Sequence, residues 1–95
     1  MPALWIAHAD VTDPEAYGRY AEVASRVIPA HGGKFIARGG KYRQLEGRDF
    51  PRNVVARFPS FEAAAGCYDS PEYQEVAALA AGAAERSVVI VEIDE

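Results

Sequence analysis

Basic charge, cysteine and long apolar runs are all scarce in this chain, and each scarcity removes a class of function. Ten Lys and Arg stand against 14 Asp and Glu, a net charge of −4 with a pI near 5.1. Nucleic acids and anionic membrane surfaces reward a basic footprint, so neither is expected as a partner. The single Cys67 cannot close an intrachain disulfide, and the two histidines form no zinc-type spacing with it. A reducing cytoplasm fits, a metal is not expected, and Cys67 reads as a small buried hydrophobe. No run approaches the roughly 18 apolar residues of a membrane span. The segment MPALWIAHADVTD lacks the basic-then-apolar order of a secretory leader, so a cytoplasmic location is expected.

What remains is a chain of 95 residues that is 49% hydrophobic, enough for one domain spanning 1–95 with one core. A domain of this size buries only about 60 to 65% of its unfolded surface, so self-association is a natural source of further burial. Alanine is abundant at Ala63–Ala65 and again through Ala77–Ala84, which favours helix but supplies little bulk.

Periodicity divides the chain into six stretches. ALWIAHADV, Ala3 to Val11, is short and mainly apolar, a strand. A helix start follows at once, with Thr12 and Glu15 in capping-box spacing or Asp13 capping ahead of Pro14. Tyr17, Tyr20, Ala21, Ala24, Val27 and Ile28 then form one apolar stripe, with Pro29 and Gly32–Gly33 expected to end the helix. KFIARGGKYRQLEG reads as a long strand bent at Gly39–Gly40, turning around Gly47 to Pro51 into the strand RNVVARF. Ser60 and Ser70–Pro71 mark the starts of two helical pieces, and SVVIVEID is a β-branched strand. The order βαββαβ implies an α+β, ferredoxin-like fold: a four-stranded antiparallel sheet with the helices on one face.

Alternation sorts the strand residues into two sets. Trp5, Ala7, Ala9, Phe35, Ala37, Val54, Ala56, Phe58, Val89, Val91 and Ile93 are expected under the helices. The second set includes Leu4, Ile6, His8, Ile36, Arg38, Val55, Arg57, Val88, Ile90 and Glu92. Its aliphatic centre is too apolar to face water, so a second subunit is expected to cover it, sheet against sheet, as a homodimer.

Three motifs, DVTDPEAYGRY, GGKFIARGG (Gly32–Gly40) and YDSPEYQ (Tyr68–Gln74), resemble the family of domain of unknown function 1330 over essentially the whole chain. That resemblance implies membership of the dimeric α+β barrel superfamily, whose ferredoxin-like subunits pair their sheets. Relatives there include cofactor-free monooxygenases, haem-degrading enzymes, lactone isomerases and small stress-related proteins, so the fold implies a dimer and no particular reaction.

The sharpest polar group is His8 with Arg38, Arg57 and Glu92, read either as a base with arginines binding a carboxylate or enolate, or as an interface ion-pair network. The tyrosines Tyr17, Tyr20, Tyr68 and Tyr73, with Trp5 and Phe35, are expected either to fill the core or to line a pocket for a small aromatic, with Ser70 beside them. His31 fits a helix C-terminus. The superfamily's haem-ligating histidine is carried on the second long helix, and Phe61–Glu85 contains none, so haem is not expected. The glycine spacing matches no phosphate loop, and no cofactor is expected. The function expected is to bind or transform a small organic molecule, aromatic or acidic, without metal or nucleotide. The alternative is a noncatalytic ligand-binding or structural dimer.

Overall fold

The computed structural model describes residues 1–94. The order is β1 (Ala3–Val11), α1 (Pro14–Ala30), β2 (Lys34–Arg38), β3 (Arg52–Phe58), α2 (Phe61–Asp69), α3 (Pro71–Ala81) and β4 (Ala84–Glu92). The strands form one antiparallel sheet in the order β2-β3-β1-β4, the ferredoxin-like arrangement expected from the sequence.

The helix starts follow their capping residues. Asp13 accepts from the Ala16 amide, Ser60 from Ala63 and Ser70 from Tyr73, so each helix begins where a short polar side chain satisfies an orphan donor. The proline in α1 behaves differently from expectation: Pro29 lies inside the last turn, and the helix ends at His31. There the amides of His31 and Gly33 both reach the Ile28 carbonyl, while Gly32 takes a φ of +92°.

Three sequence expectations about the sheet are corrected. The long bent strand is only Lys34–Arg38, and residues 39–51 form a loop, so the connection to β3 is not a tight hairpin. Arg48 ties that loop to the sheet, donating to Asp10 at 2.8 Å and Glu85 at 2.7 Å across the β1–β4 pair. The β2–β3 register slips between Phe35 and Ala37. A one-residue bulge reverses every following side chain, so Ala37 moves to the open face and Arg38 to the helix side. The parity of β4 is also reversed: Trp5 pairs with Ile90 and Ala7 with Val88, placing Arg86, Val88, Ile90 and Glu92 on the helix side. Val89 and Val91 face the other way and are 49% and 44% exposed.

The core lies between the helices and the inner sheet face. It joins Trp5, Ala7, Ala9, Ala56 and Phe58 to Tyr17, Tyr20, Ala24 and Ile28 of α1 and to Ala64, Cys67, Tyr73, Val76 and Ala80. The α1–β2 connection fits so closely that a Cβ on Gly33 would stand 2.6 Å from Ile28 and 2.7 Å from Phe58, whereas Gly18 has open space around it. Gly33→Ala is therefore expected to lower stability by about 1–3 kcal/mol through overpacking. Gly18→Ala, in mid-helix, should raise it by about 0.5–1 kcal/mol. Urea unfolding of both variants checks the pair, and a neutral Gly33→Ala would contradict the close packing.

Candidate functional site

The helix stripes bring two tyrosines face to face in the core. Tyr20 of α1 and Tyr73 of α3 place their hydroxyls 2.7 Å apart. Trp5 supports them from the sheet, its ring edge-on to Tyr73 at a 5.0 Å centroid separation. Arg86 completes the cluster from β4. Its Nη2 donates to the Tyr73 hydroxyl at 3.3 Å, and its guanidinium lies 4.7 Å from the centre of the Tyr20 ring. Arginine can only donate, so Tyr73 oxygen accepts here. The second terminal nitrogen, Nη1, is buried without a hydrogen-bond partner.

Arg86 also forms part of the wall of a groove of about 500 Å³ between α3 and β4, lined further by Tyr68, Gln74, Ala77, Ala78, Ala81 and Val88. The alanines of α3 hold this groove open because their side chains end at Cβ. On the other side of the tyrosine pair, under α1, lies a tighter cleft lined by Trp5, Tyr17, Tyr20, Phe35, Arg38 and Arg52. Its free room is about 30 Å³, roughly the share of one water.

Electrostatics keep Tyr20 and Arg86 protonated. Burial, reinforced by Tyr73, raises the Tyr20 phenol far above its ordinary value. Burial works against the charge on Arg86, but attraction to Tyr20 and the hydrogen bond to Tyr73 more than offset it and hold the guanidinium charged. These groups can donate hydrogen bonds to an anion and cannot act as bases near neutral pH.

The residues expected from the sequence are distributed as follows. Tyr20 and Tyr73 are buried in the cluster, and Tyr68, its ring 5.3 Å from that of Tyr73, stands on the groove wall. Trp5, Tyr17 and Phe35 line the cleft, with Trp5 itself a core residue at 1% exposure. The Ser70 hydroxyl donates to the Cys67 carbonyl at 2.7 Å and accepts from the Tyr73 amide, which engages it in the junction between α2 and α3.

The grouping of His8 with Arg38, Arg57 and Glu92 is not found within the subunit. Arg38 and Glu92 have moved to the helix side by the register corrections above. Arg57 pairs with Leu4, four positions along β1 from His8, about 13 Å at the rise of a strand. His8 instead donates from Nδ1 to Asn53 Oδ1 at 2.6 Å, beside Phe50, while Asn53 donates to the Phe50 carbonyl. Arg86 and Arg52 were missed, although both were within reach of a period-two reading. Arg86 shares parity with Val88 and Ile90, and Arg52 with Val54, Ala56 and Phe58.

Among the described residues no cluster of His, Cys, Asp and Glu could hold a metal ion, and no helix is long and apolar enough to cross a membrane. The sequence profile described as Domain of unknown function (DUF1330) matches residues 2–93. The chain belongs to this family. No curated protein matches it. Among solved structures, a protein of unknown function from Rhodopseudomonas palustris is 19% identical, with 99% of this chain and 83% of that one covered and a TM-score of 0.76. A dimeric ferredoxin-like protein of unknown function from Jannaschia sp. CCS1 is 17% identical, covering 98% and 100%, with a TM-score of 0.73. SnoaB, a cofactor-independent oxygenase from Streptomyces nogalater, is 12% identical over 99% and 94%, with a TM-score of 0.67. At these identities the likeness establishes a common fold, and the DUF1330 members' chemistry must be argued from the site.

The cluster and its neighbour Cys67 also set an alkaline limit. Burial, with the Glu72 carboxylate nearby, pushes the Cys67 thiol from 9.0 up to about 11. Its neutral form is favoured in the folded chain, so this contribution is complete below pH 9 and lost as pH rises toward 11, with Tyr20 adding to the loss above its unfolded value of 10.0. The thermal midpoint should be level between pH 7 and 8.5 and fall from pH 9 to 11. Cys67→Ala should fall less steeply, and identical slopes in the two proteins would contradict the assignment.

Proposed function

We propose that the protein works as a cytoplasmic homodimer, each subunit binding and transforming a small organic acid with an aromatic or enolisable body in the groove between α3 and β4. The observation that carries this is Arg86, a half-buried arginine on the wall of a groove of about 500 Å³, one of whose terminal nitrogens, Nη1, is shielded from solvent and has no hydrogen-bond partner. A carboxylate or enolate oxygen is the partner such a nitrogen lacks. The alanine and valine walls suit the ligand's apolar body, and Tyr68 offers a ring for it to pack against. That the fold is shared with a cofactor-independent oxygenase supports a reaction in which the ligand itself carries the reactive electrons.

A noncatalytic ligand-binding dimer is the second reading, favoured by one observation: Tyr20 and Arg86 are both held protonated, so the cluster supplies donors and no base. His8 lies on the opposite sheet face from the groove and takes no part in either reading.

The dimer rests on the open face of the sheet. Leu4, Ile6, Val55, Val89 and Val91 lie together there, and Ile36 at the β2 bulge is 55% exposed. Contiguous aliphatic surface of this kind is a mark of an interface.

Two outcomes test these statements. Calorimetric titration with 1-naphthoate should show binding that weakens at least tenfold in Arg86→Gln and much less in Tyr68→Leu, with the uncharged 2-methylnaphthalene binding poorly to both. Equal affinity of the wild type and Arg86→Gln would refute the groove as an acid site, provided circular dichroism shows both folded. Oxygen uptake with a hydroxynaphthoate then separates the two readings, since binding without turnover leaves the ligand-binding dimer. Val89→Glu, at the centre of the open face, should convert a dimer to a monomer in sedimentation velocity, and a wild-type monomer would overturn the sheet-to-sheet pairing.

A further inference from the structure

We infer that the mouth of the cleft under α1 is a second anion site, in which Arg38 and Arg52 hold a small oxyanion, a carboxylate or phosphate head, between their guanidinium groups. The site is distinct from the Arg86 groove and does not rest on it.

Both arginines lie on the helix side of the sheet. Arg38 pairs with Val54, two residues along β3 from Arg52, so the two are diagonal neighbours on one face. Such positions are about 7–8 Å apart, within reach of long side chains. Each guanidinium is placed by an aromatic ring: Arg38 lies 4.2 Å from the Phe35 centroid and Arg52 5.7 Å from that of Tyr17. A stacked guanidinium keeps its N–H donors around its edge, where a planar or tetrahedral oxyanion can accept them.

Neither cation has an acidic partner among the described residues. Arg19, Arg26 and Arg48 each meet a carboxylate within 3.7 Å, but among the described residues no ion pair involves Arg38 or Arg52. In a chain with 14 acidic residues and 10 basic ones, two adjacent unneutralised cations are a departure from the prevailing charge pattern. Their mutual repulsion would be relieved by one shared anion. Arg52 Nε is also buried without a hydrogen-bond partner.

The backbone holds Arg52 in place. Gly39 takes a φ of +70°, and a Cβ there would stand 2.8 Å from Arg52 Nη1, so the absence of a side chain at Gly39 lets the guanidinium pack directly on the chain. Behind the pair the cleft has only about 30 Å³ of free room, close to a single water. The oxyanion must therefore sit at the mouth, with any larger body outside, which restricts the ligand class to inorganic oxyanions and the anionic heads of larger molecules.

The wall of this cleft contains Trp5, the one tryptophan of the chain, which makes its fluorescence a local reporter. Sodium phosphate and sodium acetate are titrated separately at constant ionic strength set with sodium chloride, following Trp5 emission and the thermal midpoint. We expect a saturable change with at least one of the two anions, weakened at least fivefold in both Arg38→Gln and Arg52→Gln and retained in Arg86→Gln. A stronger response to phosphate assigns a phosphoryl head, and a stronger one to acetate a carboxylate. Gly39→Ala, which displaces Arg52 and leaves both charges in the chain, should weaken binding in the same way. No saturable change with either anion, or an unchanged affinity in Arg52→Gln, would overturn the site. Loss of the response in Arg86→Gln alone would transfer it to the groove.

Discussion

The inner face of the central strand carries one large side chain, Trp5, among Ala3, Ala7 and Ala9, and the rest of the molecule answers that shortage of bulk. A sheet face this flat cannot fill the space beneath the helices, so large rings must come down from them. Tyr17, Tyr20 and Tyr73 do so, packing around Trp5 and one another. Tyrosine fills volume at the cost of bringing a hydroxyl into the core, where a polar group without a partner costs about 1–3 kcal/mol. The two buried hydroxyls therefore bond to each other, and Arg86 donates to one of them. The polar centre of this core is thus a consequence of how its volume is filled. Arg86 in turn reaches the groove because the α3 residues above it are alanines. One compositional feature, small residues opposite large rings, yields both the hydroxyl pair and the opening beside it.

The open face follows a different constraint. Helices cover one side of the sheet only, and β1 and β4 both carry aliphatic side chains on the other. The ion pairs of Arg48 hold the loop of residues 39–51 across one end of that face, where Asp10 and Glu85 would otherwise stand unneutralised opposite each other. His8, Asn53 and Phe50 lie at the same end and form a small polar border. The aliphatic surface is thereby bounded, apolar at its centre and polar at its margin, as interfaces between subunits commonly are.

The sequence made the order of elements legible because that order is written in local chemistry. Asp13–Pro14, Ser60 and Ser70–Pro71 start helices by satisfying backbone donors within a few residues, and no tertiary contact is needed to read them. The faces of the sheet are a different matter. In β1 large and small apolar residues alternate with polar ones at one end, and its parity can be read directly. Val88 to Val91 are aliphatic at every position, so period two carries no sign, and only the pairing of Ile90 with Trp5 decides it. The bulge after Phe35 was invisible for a related reason: KFIAR is compatible with either register, and the slip is set by β3. The bulge removed Arg38 from the expected His8–Arg38–Arg57 group, and the unsigned parity of β4 hid which face Arg86 shares with Val88 and Ile90. Tyr17, Tyr20 and Tyr73 fall on the core side because the helical period that places them is long and unambiguous.

The chemistry open to the Arg86 groove is narrowed by protonation more than by shape. Tyr20 and Arg86 each hold their protons more tightly than in water: burial and Tyr73 raise the Tyr20 phenol against the opposing charge of Arg86, and Tyr20 and Tyr73 raise Arg86 against burial. On the proposed reading such a cluster supplies donors to an anion and to negative charge that develops on it. It does not accept a proton. A ligand transformed there must arrive ionised or lose its proton to solvent or to its own neighbouring group, which selects acidic and readily enolised compounds over neutral ones. On the proposed reading the same property would make the groove selective without any base, since an acid can pair with the guanidinium of Arg86 and a neutral analogue cannot. If the proposed function holds, specificity in this subunit rests on recognition of charge by a donor that the fold has already partly desolvated.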